Sequence, residues 1–405
     1  MEVIGGENLK KIVLVNAHWS NRGDEAAIRA IVDSILENVL DAQITIVFKE
    51  TGDVCQFPYV DRVDYITAKF LPKYWNVRLG VLSKGKLGCN SEMKKIVETI
   101  DGADLVVYAP GGAVVSDRFW WKKQLEYLFP IAYAQRKKIP VFFAAPSIGP
   151  FKVKRRYRDN ILKKADAICI REEISYNELE KEGLAEKARI TIDSAFLNDI
   201  DTARNEEILN SNIELKQFLN KYQKIIGITI TDLGWHVEYR KEEGLKERID
   251  TAFTEFIHNL KEDGTGVVLI PQLFGNQNDR EYLKAFQTEN TFLLGDDLDT
   301  YFQQYIISKM YGVVGMRYHS NIFAAKMGVP FIPVIYEEKM EGFVKSAGWE
   351  KLSLKVKELS EKELMNKYEY LDKNHECFSD TLKKNRQEWK CKAEQTRDGL
   401  LRLLE

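Results

Sequence analysis

Arg317 and His319 stand two positions apart in the segment GMRYHSNIFAAKMGVPFIPVIYEEK, Gly315 to Lys339. A short apolar run, Gly312–Gly315, leads directly into them, and an apolar helix pattern begins near His319. That order predicts both side chains at the carboxyl edge of a parallel strand and the amino end of a helix. Unsatisfied N–H groups and the helix dipole favour an anion there. Arg317 adds a planar fork that matches phosphate or carboxylate. Lys339 follows the next strand pattern, Pro330–Ile335, and is expected to reach the same cleft. A lone Arg at a strand end is often a surface ion pair, and a lone His often a hydrogen-bonded spacer. Arg-x-His at a strand-to-helix junction, with Lys one strand later, is a less casual combination and points to an anionic ligand.

Weaker signals lie upstream. Arg171 closes a strand pattern in CIREE (Cys169–Glu173), with an ion pair or a capping role as the plain alternative. Asn21-Arg22-Gly23-Asp24-Glu25 forms the turn into the first helix; Gly23 permits close backbone approach, and Asp24 suits a helix cap or a sugar hydroxyl. Gly111 and Gly112 follow a strand, but neither GxGxxG nor a P-loop occurs, so dinucleotide and ATP sites lack their fingerprints. Asp297-Leu298-Asp299 looks like a metal–nucleotide DxD, yet before an apolar helix it reads as an ordinary N-cap. No two His or Cys have metal-ligand spacing, so no metal is expected. The basic stretch Lys152–Lys164 reads first as a solvated helix face and second as a contact for an anionic membrane surface. Trp120-Trp121 and the region Phe70–Trp75 suit either core packing or stacking on sugar rings.

The elements that must hold these residues follow from the hydrophobic pattern. Short strands at Lys11–Asn16, Ile44–Phe48, Asp104–Ala109, Pro140–Ala145 and Ala167–Ile170 alternate with amphipathic helices. After a polar break at about 196–222, the alternation restarts with Lys224–Thr229, Gly266–Ile270, Gly312–Gly315 and Pro330–Ile335. This pattern predicts two Rossmann-like α/β domains with parallel sheets, 1–205 and 206–350, with a cleft between them as the default site. A charged helical tail, 351–405, is expected to pack back on them.

Composition removes several classes. Lys plus Arg number 59 against 61 Asp plus Glu in 405 residues, a net charge of −2, which disfavours a nucleic-acid binder. The five cysteines, Cys55, Cys89, Cys169, Cys377 and Cys391, lack disulfide or metal spacing and read as reduced thiols in a cytoplasmic chain. The N-terminus shows no secretory pattern, and no apolar run reaches the ~18 residues of a membrane span.

With these residues in view, the chain resembles the polysaccharide pyruvyl transferase family. The resemblance rests on NRGDEAAI (Asn21–Ile28), PGGAVVSD (Pro110–Asp117), APSIGP (Ala145–Pro150), IREEISYNEL (Ile170–Leu179), IDSAF (Ile192–Phe196) and Gly315–Lys339, in that order. One departure is Ala113, where the family often has a third Gly. The resemblance implies a two-domain, glycosyltransferase-B-like fold that uses phosphoenolpyruvate as donor and needs no metal or bound cofactor. Arg171 matches the family arginine that holds the donor, Arg317 and His319 its Arg-x-His pair, and Lys339 its lysine after the following strand. The implied acceptor is a glycan or lipid-linked saccharide, met in the cytoplasm or at the inner face of the membrane. Asn21, Gly23, Asp24, Gly111 and Gly112 would serve the acceptor or support its loops. His319 is the candidate general acid/base, because imidazoles suit proton transfer near neutrality. Two other readings stand beside this one. A nucleotide-sugar glycosyltransferase on the same fold would need an acidic ribose contact, which Glu337 or Glu338 could supply. A non-catalytic glycan- or anion-binding protein is the other.

Overall fold

The computed structural model describes residues 9–50, 57–112, 114–236, 238–274, 278–295 and 298–405. Cys55, Ala113 and Asp297 lie outside these residues. The chain forms two compact units. The first gathers the residues up to Trp19, Ala27–Asn198 and Cys391–Glu405; the second gathers Ser20–Ala26 and Asp199–Lys390. The division differs from the expected 205/206 boundary and separate tail in two ways. A seven-residue piece of the N-terminal region belongs to the second unit, and the tail is shared out, 351–390 to the second unit and 391–405 to the first.

The first unit carries a seven-stranded parallel sheet. Its strands are β1 (Lys10–His18), β2 (Ala42–Glu50), β3 (Val63–Thr67), β4 (Leu105–Tyr108), β5 (Val141–Phe143), β6 (Ala167–Ile170) and β7 (Ala188–Ile190). They lie in the order β3-β2-β1-β4-β5-β6-β7. Ile12, Val13, Leu14 and Val15 are all sealed from solvent, as are Leu105, Val106 and Val107. Consecutive buried residues mean that both faces of the sheet are covered by helices, which is why these strands read as unbroken apolar runs. The edge strand β3 was not expected, since only Val63 at its start is buried and Asp64, Tyr65 and Thr67 are exposed, so no apolar run or alternating stripe marks it.

The second unit repeats the architecture with six parallel strands: β8 (Ile225–Thr229), β9 (Gly266–Leu269), β10 (Thr291–Leu293), β11 (Gly312–Gly315), β12 (Phe331–Ile335) and β13 (Leu354–Lys355), ordered β10-β9-β8-β11-β12-β13. The polar break is two helices, Thr202–Ser211 and Ile213–Lys221, capped by the side chains of Asp201 and Asn212. They bury little beyond Asn205, Leu209 and Leu215, so no apolar stripe announced them. The C-terminal region is helical as expected, with Glu361–Lys373 and His375–Leu401. Asp299 caps the helix Thr300–Ile307 through the backbone N–H of Phe302, which accounts for the second Asp of the DxD-like segment. No described helix is long and apolar enough to cross a membrane.

One carboxylate organises a large loop of the first unit. Asp117 accepts from the backbone N–H groups of Lys152 (2.8 Å) and Val153 (3.0 Å), from Arg155 Nε (2.8 Å) and from Arg158 Nη1 (3.2 Å). Burial alone would raise its pKa; Arg155 and the two backbone donors outweigh burial and hold the carboxyl well below the usual carboxylate range. A depressed carboxylate pKa contributes stability above the unfolded value near 4, and that contribution is lost as pH falls through the folded value. Asp117→Asn should therefore cost about 3 kcal/mol at neutral pH, with the gap to wild type closing below about pH 4. Denaturant melts of both proteins across acidic pH check this; a pH-independent gap contradicts it.

Candidate functional site

The order of the second sheet reverses between β8 and β11. In open α/β sheets the crevice outside the carboxyl ends of such a strand pair is where ligands bind. The chain leaves β11 through Met316 and enters the helix Tyr318–Met327 with Arg317 as its extended N-cap residue (φ −83°, ψ 134°). Hydrogen bonds fix this junction to β8: Arg317 N–H donates to Thr229 Oγ1 at 3.2 Å, and the hydroxyls of Thr229 and Ser320 are 2.9 Å apart.

Arg317 is buried, and its Nε donates to Asp279 Oδ2 at 3.0 Å while Nη2 meets Oδ1, a bidentate pair. Its guanidinium lies 5.3 Å from the centre of the Trp235 ring. Burial works against the guanidinium charge, but Asp279, with Tyr336 and Glu337, overcomes it and raises the pKa. Asp279 Oδ2 also accepts from the backbone N–H groups of Gln272 (3.1 Å) and Leu273 (2.9 Å). Beside the pair lies a cavity of about 270 Å³, lined among others by Thr231, Trp235, Asn278, Tyr282 and Arg317. That volume lies just below the ~300–1,000 Å³ usual for ligand sites. The first residues past β8 form one wall, where Trp235 Nε1 donates to Thr231 Oγ1 at 3.0 Å.

The Asn21–Glu25 turn belongs to this unit and reaches His319. A Cβ built on Gly23 would lie 1.8 Å from His319 Nδ1 and 2.5 Å from its Cβ, so only glycine lets the turn lie against the imidazole. Asn21, not Asp24, caps the first helix, Arg22–Asn38: its Oδ1 accepts from Gly23 N–H at 2.8 Å and Asp24 N–H at 3.4 Å. Arg22 and Glu25 form a buried ion pair of 2.7 Å. Arg22 N–H donates to Gln272 O at 2.9 Å, and Thr300 Oγ1 donates to Arg22 O at 2.7 Å. Lys339 lies in the first turn of the helix Glu338–Ala347; its Nζ is 3.1 Å from Glu337 Oε1 and 5.4 Å from the ring of Tyr318, the residue before His319. Arg317, His319, Gly23, Asn21 and Lys339 thus share one end of one sheet, together with Asp24 in the first turn of its helix.

Arg171, Gly111 and Gly112 belong to the first unit. Arg171 follows β6 and is buried, donating through Nε to Ser147 Oγ at 2.8 Å and through Nη1 to Asp193 Oδ2 at 2.8 Å. Gly111 O accepts from Ser147 N–H at 3.1 Å, which joins the Gly-Gly loop to the Arg171 network. The order of this sheet reverses between β1 and β4. There β1 ends in a bulge at Asn16, a non-glycine residue at φ 66°, whose Nδ2 donates to Tyr127 O at 2.8 Å. The bulge brings His18 Nε2 to 2.7 Å from the Tyr127 hydroxyl. Lys49, at the end of β2, is buried 3.4 Å from Glu126 Oε1 and 5.0 Å from the Tyr127 ring. Burial, only partly offset by Glu126, pulls its pKa down to about 8.

Each cation of the expected set carries a carboxylate: Arg171 with Asp193, Arg317 with Asp279, Lys339 with Glu337. A buried charge without such a partner would cost several kcal/mol. Asp279, Trp235, Thr231 and Tyr282 were missed from sequence. Asp279 sits at the start of a short polar helix, and only its distant partner gives it meaning. A regular reading beyond β8 would have found Thr231, whose strand-like alternation continues past Thr229. Among the described residues no group of three or more His, Cys, Asp or Glu is arranged to hold a metal.

Gly23→Ala tests the turn. The added methyl must displace the imidazole at its root, an overpacking expected to cost about 1–3 kcal/mol. A thermal melt that leaves Tm unchanged contradicts this placement.

Comparison with known proteins fits this architecture. The amylovoran biosynthesis protein AmsJ of Erwinia amylovora is 23% identical over 398 residues, covering 90% of this chain and 93% of that protein. Among solved structures, the UDP-GlcNAc 2-epimerase of Neisseria meningitidis bound to UDP-GlcNAc superposes with a TM-score of 0.60 at 14% identity, over 97% of this chain and 100% of that one. The HepE protein of Anabaena in complex with UDP gives 0.59 at 12% identity, over 98% and 99%. These likenesses show the fold, two Rossmann-like parallel-sheet units of the glycosyltransferase-B type. The profile of one family matches residues 21–338, most of the chain and every segment from the Asn21 turn to the Arg317–His319 junction, and the chain belongs to that family, polysaccharide pyruvyl transferase.

Proposed function

We propose that the protein transfers the enolpyruvyl group of phosphoenolpyruvate to two hydroxyls of a glycan sugar, forming a pyruvate ketal and releasing phosphate. The observation that carries this reading is the buried Arg317 beside His319 at the helix amino end, next to a cavity of about 270 Å³. A small donor suits that volume better than a nucleotide sugar does, and the helix amino end favours an anion, while Asp232 and Asp279 line the cavity beside Arg317. The relative AmsJ is an amylovoran biosynthesis protein, and the polysaccharide pyruvyl transferase family supports a saccharide acceptor.

The reaction places specific demands on these groups. A proton added to C3 of phosphoenolpyruvate develops positive charge at C2, which one sugar hydroxyl attacks. Phosphate leaves and the second hydroxyl closes the ring. Of the two hydroxyl protons released, one is balanced by the new methyl C–H and the other leaves with phosphate. His319 is assigned the proton transfers, because a positioned imidazole is the commonest general acid and base in enzymes. Arg317 orients the donor, with Asp279 fixing its rotamer. Lys339 and Arg171 are assigned to donor charge, Asn21, Gly23 and Asp24 to the acceptor side, and Gly111 and Gly112 to its loop. The reaction needs no metal in this assignment, and the setting is cytoplasmic, where phosphoenolpyruvate is available.

A nucleotide sugar is the alternative donor, favoured by the UDP-GlcNAc and UDP bound in the similar structures. One assay separates the two. Incubation with phosphoenolpyruvate and acceptor saccharides, followed by mass spectrometry, should show an acceptor gain of about 70 Da, pyruvic acid less one water, through the acid/base step. His319→Gln should lower kcat by about 10²–10⁴-fold with little change in KM for phosphoenolpyruvate. A hexose-sized gain from a nucleotide sugar, or near-normal turnover in His319→Gln, contradicts the proposal.

A further inference from the structure

Exposed apolar side chains are concentrated on one part of the first unit. Of fifteen large apolar residues exposed among the described residues, eight fall within the three segments 69–87, 118–123 and 151–158. They include Leu71 (91% exposed), Trp75 (71%) and Trp120 (66%), with Leu79, Leu82 and Leu87. The first segment holds the helix Tyr74–Leu82, whose buried side is little more than Val77 and Gly80. A helix that turns leucines and a tryptophan to solvent is unusual in a chain that has an ample core of its own.

The three segments converge in space. The Tyr74 ring lies 5.4 Å from Trp75 and 6.2 Å from Trp121, centre to centre. A cavity of about 260 Å³ is lined by Tyr74 and Trp121 together with Lys154, Arg155 and Arg156. The turn after the helix folds back on it: Gly88 (φ 79°) sits so close that a Cβ there would come within 3.0 Å of Leu79 Cβ and 2.8 Å of Asn76 O. That return places Leu87 and the lysines before it beside the helix.

Charge on this face is predominantly positive, with Asp117 and Asp159 as the acidic residues paired to arginines of its third segment. The segments contain five, three and five Lys or Arg and no Asp or Glu. Asp117 engages Arg155 and Arg158 from beneath, while Lys73, Arg78, Lys84, Lys86, Lys152 and Arg156 remain exposed. In a chain whose net charge is −2, this is a marked local asymmetry. A second copy of the chain is a poor partner, since a two-fold contact would set like charges against each other. Aromatic and leucine side chains interleaved with Lys and Arg, on an element lying along the surface, are the features of a protein that rests in the head-group region of an anionic bilayer.

We infer that the face formed by the helix Tyr74–Leu82, the Trp120 corner and the Lys152–Arg156 loop docks the protein on an anionic phospholipid membrane. Tryptophan and leucine enter the boundary between head groups and acyl chains, and the surrounding lysines and arginines meet lipid phosphates. The docking needs no transfer chemistry, and its test is independent of the donor and of the acceptor.

The full chain should co-sediment with vesicles of phosphatidylcholine containing phosphatidylglycerol, with partition about ten-fold or more weaker on phosphatidylcholine alone. Raised salt should weaken it further. Replacing Trp75 and Trp120 by Ser together, or Lys84 and Lys86 by Glu together, should each reduce partition by about ten-fold or more. All four side chains are exposed, so circular dichroism and Tm should match wild type. Absence of binding to the mixed vesicles overturns the inference, as does partition unchanged in both variants. A dimer in sedimentation equilibrium that dissolves in the Trp variant, without vesicle binding, overturns it in favour of a second copy.

Discussion

The buried pair of Arg317 and Asp279 is the constraint on which the candidate site depends. Neither charge can be removed from water alone; together, with two further hydrogen bonds donated to Asp279 by the backbone N–H groups of Gln272 and Leu273, they satisfy one another. The consequences spread outward. Asp279 fixes the backbone of Gln272 and Leu273, Gln272 O takes the N–H of Arg22, and Phe274 N–H donates to Ser20 O at 2.8 Å. Asn21 bridges Leu273 in the same place. This chain of contacts holds the segment Ser20–Ala26 in the second unit and lays Gly23 on His319. Loss of one member should cost about 3–5 kcal/mol, most of it from the charge left behind.

The pair also changes what the cations mean. Arg171, Arg317 and Lys339 are neutralised one by one, so the unliganded protein holds no cluster of naked positive charge at these positions. An incoming anion would compete with, or complete, pairs that already fix side-chain geometry. Such preorganisation costs little at the moment of binding. A balanced overall charge is compatible with this arrangement, because the carboxylate partners account for part of the acidic count. The first unit shows the same economy at its own switch point, where Glu126 stands beside Lys49.

Much of this was legible in the sequence. Strands buried on both faces announce themselves as unbroken apolar runs, so both parallel sheets and the junction carrying Arg317 and His319 could be read directly. The family segments fixed the order of the loops. What was hidden has physical causes. β3 is an edge strand with one buried residue at its start, so neither an apolar run nor alternation marks it. The helix Tyr74–Leu82 points its apolar residues outward, against the periodicity that identifies a core-facing helix. Asp279 and Trp235 are placed by tertiary pairing alone, 38 and 82 residues from Arg317 in sequence. Gly23 was read as a close-approach glycine, but that the approach is to His319 required the fold.

On the proposed function, the switch point of the second unit, built on Arg317 and Asp279, receives phosphoenolpyruvate. Isothermal titration calorimetry of the full chain tests it most directly, with phosphoenolpyruvate and UDP as ligands and Arg317→Lys as the variant, checked for its fold by circular dichroism. The account predicts that phosphoenolpyruvate binds the wild type and binds Arg317→Lys about 10–100-fold more weakly, as expected for loss of a charged bidentate contact, with no saturable heat from UDP. Binding of UDP without phosphoenolpyruvate, or equal affinity of phosphoenolpyruvate for a folded Arg317→Lys, would contradict it.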